Sequence, residues 1–269
     1  MQYTERPPIP ALAHIVECLW TLEGHARDLA GPVQPILPDG RSELIVHFGD
    51  PFERLDQGAA DRQPPLVFAG QLTRRLLLQP TGRVAVLGVR FRPDGAAAYL
   101  RAPMREFVGQ MIDVADAAPV LARAARRVGD AAGTLDRAVS LMQSELASIA
   151  QRAIDPRIAH AVRGIERARG VIVVDRLARS TGTTRRHLER LFLDSVGISP
   201  KRLARLTRFQ RAVQMLEHDT PGPRGIATAH ACGYADQAHF VRDFRELADC
   251  TPSAHLLHRA ELTRFFTGG

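Results

Sequence analysis

Two short runs in the last third of the chain place groups able to hydrogen-bond and carry charge at helical spacing. In Ala235-Asp236-Gln237-Ala238-His239-Phe240-Val241-Arg242-Asp243-Phe244, the residues Ala238, Phe240, Val241 and Phe244 form an apolar seam. Gln237, His239, Arg242 and Arg245 lie outside that seam. Upstream, Thr184-Arg185-Arg186-His187-Leu188-Glu189-Arg190-Leu191-Phe192 repeats nearly the same arrangement. A docked helix with such a polar face has the form of a reading head, and nucleic acid is the surface it suggests.

The two runs belong to a longer internal repeat. Each Phe is followed at the same interval by a capping residue and a proline, Phe192 by Ser199-Pro200 and Phe244 by Thr251-Pro252. That pair, also present at Asp155-Pro156, predicts a helix start. Aligned on these landmarks, with Leu177 and Ile226 in the helix before, Ala178, Gly182, His187-Leu188, Arg190 and Phe192 superpose on Ala229, Gly233, His239-Phe240, Arg242 and Phe244, with one extra residue after the second glycine. Helix, glycine-containing turn and helix, written twice, predict two helix-turn-helix units. Ala178 and Ala229 keep the first helix thin, Gly182 and Gly233 supply the positive φ of a sharp turn, and the Phe pairs dock the second helix. Leu203, Leu206, Val213 and Leu216 continue a helical pattern from Pro200, a spacer about 25 Å long. Major-groove faces recur about 34 Å apart, so such a spacer lets both units enter adjacent turns of one duplex.

The charge is segregated beside these units. Residues 1–154 hold 17 Arg and 17 acidic residues; residues 155–269 hold 18 Arg and Lys201 against 12 acidic residues. All of the +7 excess therefore lies in the C-terminal segment. A polyanion-binding module has this signature, although a solvated basic surface would look the same by charge alone. The length of 269 residues suits about two domains. No apolar run is long enough to span a bilayer and the N-terminus lacks a basic leader, so a soluble, cytoplasmic protein is expected. Cys18, Cys232 and Cys250 are odd in number and far apart, which argues against a disulfide framework and against zinc knuckles. No metal and no cofactor are expected.

With these landmarks in place, residues from Ala159 to His258 resemble the AraC/XylS-type transcriptional regulators, whose DNA-binding domain is a double helix-turn-helix. The most specific portion runs from Ile226-Ala227-Thr228-Ala229-His230-Ala231-Cys232-Gly233-Tyr234 through Phe244-Arg245 to Thr251-Pro252-Ser253. The resemblance implies double-stranded DNA as partner, with RNA polymerase as a second one. It also implies that the first recognition helix presents Arg186, Glu189 and Arg190 to base edges and the second Gln237, His239 and Arg242. The chemistry suits: Arg is bidentate to guanine, Gln to adenine, and Glu accepts from cytosine. Arg185, Arg205 and Arg208 are then phosphate contacts or solvated charge. Arg190 and Arg242 could instead pair with Asp194 and Glu246.

The N-terminal half reads differently. Short apolar or alternating runs, among them Glu43-Leu44-Ile45-Val46-His47-Phe48 and Val84-Ala85-Val86-Leu87-Gly88-Val89-Arg90-Phe91, alternate with turns such as Leu37-Pro38-Asp39-Gly40. They predict a small antiparallel barrel or sandwich with an interior suited to a small molecule. Cys18, Trp20, His47, Phe48 and Arg90 are the candidate residues of an effector pocket, against the plainer reading of core aromatics, an inert thiol and a satisfied histidine. No His-x-His motif with the further ligands of a metal-dependent barrel enzyme is present, so catalysis is not expected. From Ala117 to Arg127 and from Leu135 to Ala150 the pattern turns helical, broken near Gly129-Asp130 and Gly133. The stripe Leu135, Val139, Met142 and Leu146 can pack on its own β domain or pair in a homodimer, and the pattern leaves both open.

The expected class is α+β. A barrel-like (cupin-like) antiparallel sensor domain occupies residues 1–110, a helical linker or dimerisation segment 111–153, and an all-α domain with two helix-turn-helix motifs 154–269. The expected function is a sequence-specific transcriptional regulator modulated by a small effector. The alternative is a DNA-associated enzyme or thiol-based stress sensor using Cys18.

Overall fold

The computed structural model describes residues 1–29, 31–56, 59–149, 151–218 and 224–257. In chain order its strands are β1 (Gln2–Arg6), β2 (Val16–His25), β3 (Gln34–Ile36), β4 (Glu43–His47), β5 (Glu53–Asp56), β6 (Ala59–Arg62), β7 (Leu66–Ala69), β8 (Leu76–Gln79), β9 (Arg83–Phe91) and β10 (Met111–Asp113). They form a six-stranded sheet, β1-β2-β9-β4-β7-β10, and a four-stranded sheet, β3-β8-β5-β6. All pairings are antiparallel. The antiparallel β half is as expected, but among the described residues the two sheets do not join into a closed barrel. The polar β1 and the fully exposed β6 end their sheets as edge strands, which carry no apolar alternation to find them by.

The central strand β9 is buried on both faces, which is why its sequence is a continuous apolar run. Leu87, Val89 and Phe91 pack with Leu19, Leu44 and Phe68 on one side, while Val84 and Val86 face Trp20, Ile45, Phe52 and Leu78 on the other. Trp20 sits opposite Gly88 in the β2–β9 register, and a Cβ at Gly88 would lie 2.0 Å from the indole ring.

Helices α1 (Val114–Ala117), α2 (Pro119–Ala131) and α3 (Leu135–Ser148) cover the first of those faces. Of the two choices left open for the α3 stripe, packing on its own sheet is the one adopted. Val139, Met142 and Leu146 are buried there, with Leu135 half-buried. Gly129 lies inside α2, which runs past the expected break.

The C-terminal segment is helical: α4 (Pro156–Arg167), α5 (Val174–Ser180), α6 (Arg185–Ser195), α7 (Pro200–His218), α8 (Arg224–Ala231), α9 (Gln237–Ala248) and α10 (Pro252–Leu257). All three proline-marked starts are capped as expected. Asp155 accepts from the Arg157 N–H at 2.9 Å, Ser199 Oγ from Arg202 N–H at 3.2 Å and Thr251 Oγ1 from Ala254 N–H at 3.1 Å. A single apolar core joins these helices, with Phe192, Phe209, Phe240 and Phe244 fully buried. Ala150 and residues 258–269, included in the sequence readings above, lie outside the described residues. No described helix is long and apolar enough to cross a membrane.

Candidate nucleic-acid interface and effector cavity

Each predicted unit forms with the same local chemistry. Gly182 follows α5 with φ +68° and Gly233 follows α8 with φ +75°, the left-handed conformation that lets the next helix start at a steep angle. The second helix of each unit then opens on a side-chain cap, Thr184 accepting from His187 N–H at 3.3 Å and Asp236 from His239 N–H at 2.7 Å. Inward, Leu188 and Phe192 anchor α6, and Phe240 and Phe244 anchor α9. The spacer α7 has 19 residues, hence about 28 Å.

Outward, the faces carry the expected side chains. Arg186 and Arg190 on α6 and Gln237 and Arg242 on α9 are exposed, with Glu189 half-buried. Ala238 was expected in the apolar seam but is exposed with them, because its position one turn before Arg242 places it on the outer face. Glu189 accepts from Arg185 Nε at 2.9 Å, so part of its acceptor capacity is engaged within α6. His187 stands between Arg157 at 3.3 Å and Arg190 at 3.1 Å. Guanidinium groups only donate and a neutral imidazole has one acceptor, so one of these two contacts at a time is a hydrogen bond. His239 is half-buried, its ring 5.3 Å from that of Tyr234 and its Nε2 3.9 Å from Asp243.

The acids that sequence suggested as partners for the reading arginines are engaged elsewhere. Asp194 pairs with Arg105, and Glu246 is held by Arg205 through two contacts at 2.6 Å. Arg205 also donates to the buried Asp243 at 3.0 Å, so it ties α7 to α9 within the domain. Arg208 donates to the Gly170 carbonyl at 2.9 Å and lies over the Tyr234 ring at 5.6 Å. Both arginines therefore have structural partners, which sequence spacing could not supply, since Asp243 and Gly170 each lie 38 residues from the arginine they accept from.

Residues 177–257 match the family model described as a helix-turn-helix domain. The match covers both units, both glycine turns and both Phe-to-Pro intervals. The C-terminal segment is a helix-turn-helix domain. Residues 4–113 match a separate model, Domain of unknown function (DUF6597). No curated protein matches the chain. Among solved structures, the chain is similar to a transcriptional regulator with an AraC-type DNA-binding domain from Chromobacterium violaceum, at 29% identity over 39% of this chain and 94% of that one, with a TM-score of 0.36. A probable AraC family regulator from Rhodopseudomonas palustris gives 29% identity over 38% and 96%, with a TM-score of 0.34. ToxT from Vibrio cholerae gives 10% identity over 96% and 98%, with a TM-score of 0.47.

In the N-terminal half a cavity of about 60 Å³ lies between the two sheets, walled by Ile36, Ile45, Phe52, Leu76 and Leu78 among others. Of the five residues proposed from sequence, Trp20 and His47 line it. Cys18, Phe48 and Arg90 do not line it; Arg90 is instead buried between Glu43 at 2.9 Å and Glu5 at 3.4 Å. Burial pushes the Cys18 thiol up to about 12, which suppresses the reactive thiolate. Sequence reading missed Gln63, which contacts His47 Nε2 at 3.0 Å, and the segment 36–43. That segment is one wall of the cavity and also meets the helix-turn-helix domain. Leu37 is buried in the helical core, the Pro38 carbonyl accepts from Gln210 at 2.8 Å, and Arg41 joins Glu17 at 2.8 Å to Glu166 on α4 at 3.3 Å. Its turn residues were legible, but nothing local marks them as a contact between domains.

Burial lowers the His47 pKa from 6.5 to about 4, with the Gln63 hydrogen bond opposing. As pH falls through that window the unfolded chain binds the proton first, so this contribution to stability is present above pH 6.5 and lost toward pH 4. The expected loss is about 3 kcal/mol at full titration. Urea denaturation across this range should show it in the wild type, and His47→Gln should remove that component of the slope.

Proposed function

We propose that the chain is a sequence-specific regulator of transcription whose DNA affinity, or contact with RNA polymerase, is set by a small effector in the cavity between the two sheets. The observation that carries the effector half of this reading is the double role of residues 36–43. A ligand that moves this wall changes the seat of α4 and α7, on which the reading helices are mounted. Coupling of this kind requires only that ligand bind one domain arrangement better than the other. The reading is of a binding protein and not an enzyme, since burial holds Cys18 as an unreactive thiol despite the opposing charge of Arg90. Its location is the cytoplasm. Homodimerisation would use a surface other than the α3 stripe, which its own sheet covers.

For the DNA half, Arg186, Glu189, Arg190, Gln237, His239 and Arg242 are the proposed base readers and Arg185 a backbone contact. Selection from random DNA should enrich a site spanning about two helical turns. Failure to enrich one would sink the double-reader model. Replacing Arg242 by Ala should cost about 1–3 kcal/mol at one base pair and little at others. Equal loss on all sequences would favour a non-specific binder. For the coupling, Arg41→Ala should leave DNA binding of the free protein largely intact while weakening its response to an effector; an unchanged response would remove the Arg41 bridge from the mechanism.

A further inference from the structure

The two recognition helices repeat in sequence, yet their matched histidines are held differently. His239 turns toward its own domain: its ring lies 5.3 Å from that of Tyr234, and its Nε2 is 3.9 Å from Asp243, four residues on. In the first unit Leu191 takes the place of Asp243 and offers neither acceptor nor charge. His187 instead meets two guanidinium groups, Arg157 facing Nε2 at 3.3 Å and Arg190 facing Nδ1 at 3.1 Å.

A neutral imidazole has one lone pair to accept with, so the two arginines compete for it. Arg157 is already neutralised, because Asp155 accepts from its Nε at 3.0 Å and from its Nη2 at 2.6 Å. Arg190 has no carboxylate of this kind among the described residues, since Asp194, four residues on, is paired with Arg105. A lone pair is drawn more strongly to an uncompensated cation than to a cation whose charge a carboxylate cancels. The favoured tautomer therefore carries its proton on Nε2 and turns the Nδ1 lone pair to Arg190.

This contact leaves Arg190 able to read. A guanidinium has five N–H groups, so one held by His187 leaves enough for both acceptors of a guanine edge. An arginine held beforehand also has less freedom to lose on binding, and ordering a long side chain costs roughly two- to tenfold in affinity. Resting on the base-reader assignment above, we infer that His187 is a positioning residue whose Nδ1 aims Arg190 at its base pair, while the Asp155–Arg157 pair sets the tautomer of the ring. Arg242 on α9 has no such partner among the described residues, so the base pair it reads is the internal control.

The test measures binding of the full chain to duplexes carrying the site enriched from random DNA, with each base pair varied in turn. Arg190→Ala first marks the base pair that Arg190 reads, and Arg242→Ala marks the control. His187→Ala should then lower discrimination at the first pair about fivefold and leave the control unchanged within about twofold. His187→Asn keeps an acceptor where Nδ1 stands and should retain most of the preference. In the Arg190→Ala background, His187→Ala should cost nothing further at that pair. If His187→Ala does not fold, His187→Leu, which fills the space without an acceptor, takes its place. Unchanged discrimination in His187→Ala, an equal loss at both marked pairs, or an Asn variant as relaxed as the Ala variant would overturn the positioning role and leave Arg190 a reader. If Arg190→Ala relaxes no single base pair, the base-reader assignment fails and this inference fails with it.

Discussion

Phe244→Ala should destabilise the C-terminal domain by about 3–5 kcal/mol, the range for emptying a buried aromatic site. Phe244 is fully buried at the meeting point of three helices. Its ring lies 5.2 Å from that of Phe209 on α7, 5.7 Å from Phe240 on α9 and 5.5 Å from His255 on α10. Truncation removes edge-to-face contacts on each side and leaves a void that rigid helices refill poorly. The seat of the second recognition helix goes with it, so affinity for a two-turn DNA site should fall toward that of the first unit alone. Denaturant titration with an unchanged m-value measures the first effect, and binding to full and half sites measures the second. A loss of under about 1 kcal/mol would mean that α9 is held chiefly by something else.

Arg205→Ala should cost about 3 kcal/mol of stability while leaving the salt dependence of DNA binding unchanged. The reason lies in Asp243, whose side chain is 8% exposed and whose Oδ1 accepts from Arg205. Removing the guanidinium leaves a buried carboxylate without its counter-charge, and the second carboxylate oxygen already lacks a partner among the described residues. The contacts to Glu246 matter less, since that side chain is 61% exposed and screened by solvent. Removing the stranded carboxylate as well, in Arg205→Ala with Asp243→Ala, should restore part of the loss. A phosphate-contacting arginine would behave otherwise, lowering the slope of log K against log salt by about 1 with little change in stability. Unchanged stability with a flattened slope would return Arg205 to the DNA surface.

These two residues show where reading the sequence succeeds and where it stops. Phe244 was identifiable because its role is local and repeated: it follows a capped helix start, lies one turn from Phe240 and precedes Thr251-Pro252 at the interval already seen after Phe192. Arg205 sits in an equally clear helical pattern, but an exposed-looking arginine on a basic helix reads as a phosphate contact until its partner 38 residues away is known. Ala238 shows the same limit on a smaller scale. It lies three residues before Val241 of the seam and four before Arg242 of the outer face, and the docking of α9 decides that it faces outward.

The sequence by itself determined the two helix-turn-helix units, their capped starts, the spacer between them, the antiparallel character of the N-terminal half and the segregation of positive charge. Apart from the charge, which is counted over each half of the chain, each rests on periods, caps and turns within about 20 residues, the range over which local propensity acts. Tertiary structure alone decided that the sheets stay separate, that the α3 stripe covers its own domain, that Cys18, Phe48 and Arg90 lie off the cavity, and that residues 36–43 join it to the helical core. These depend on which distant strands pair and how layers stack, and the same short apolar runs are compatible with several such pairings.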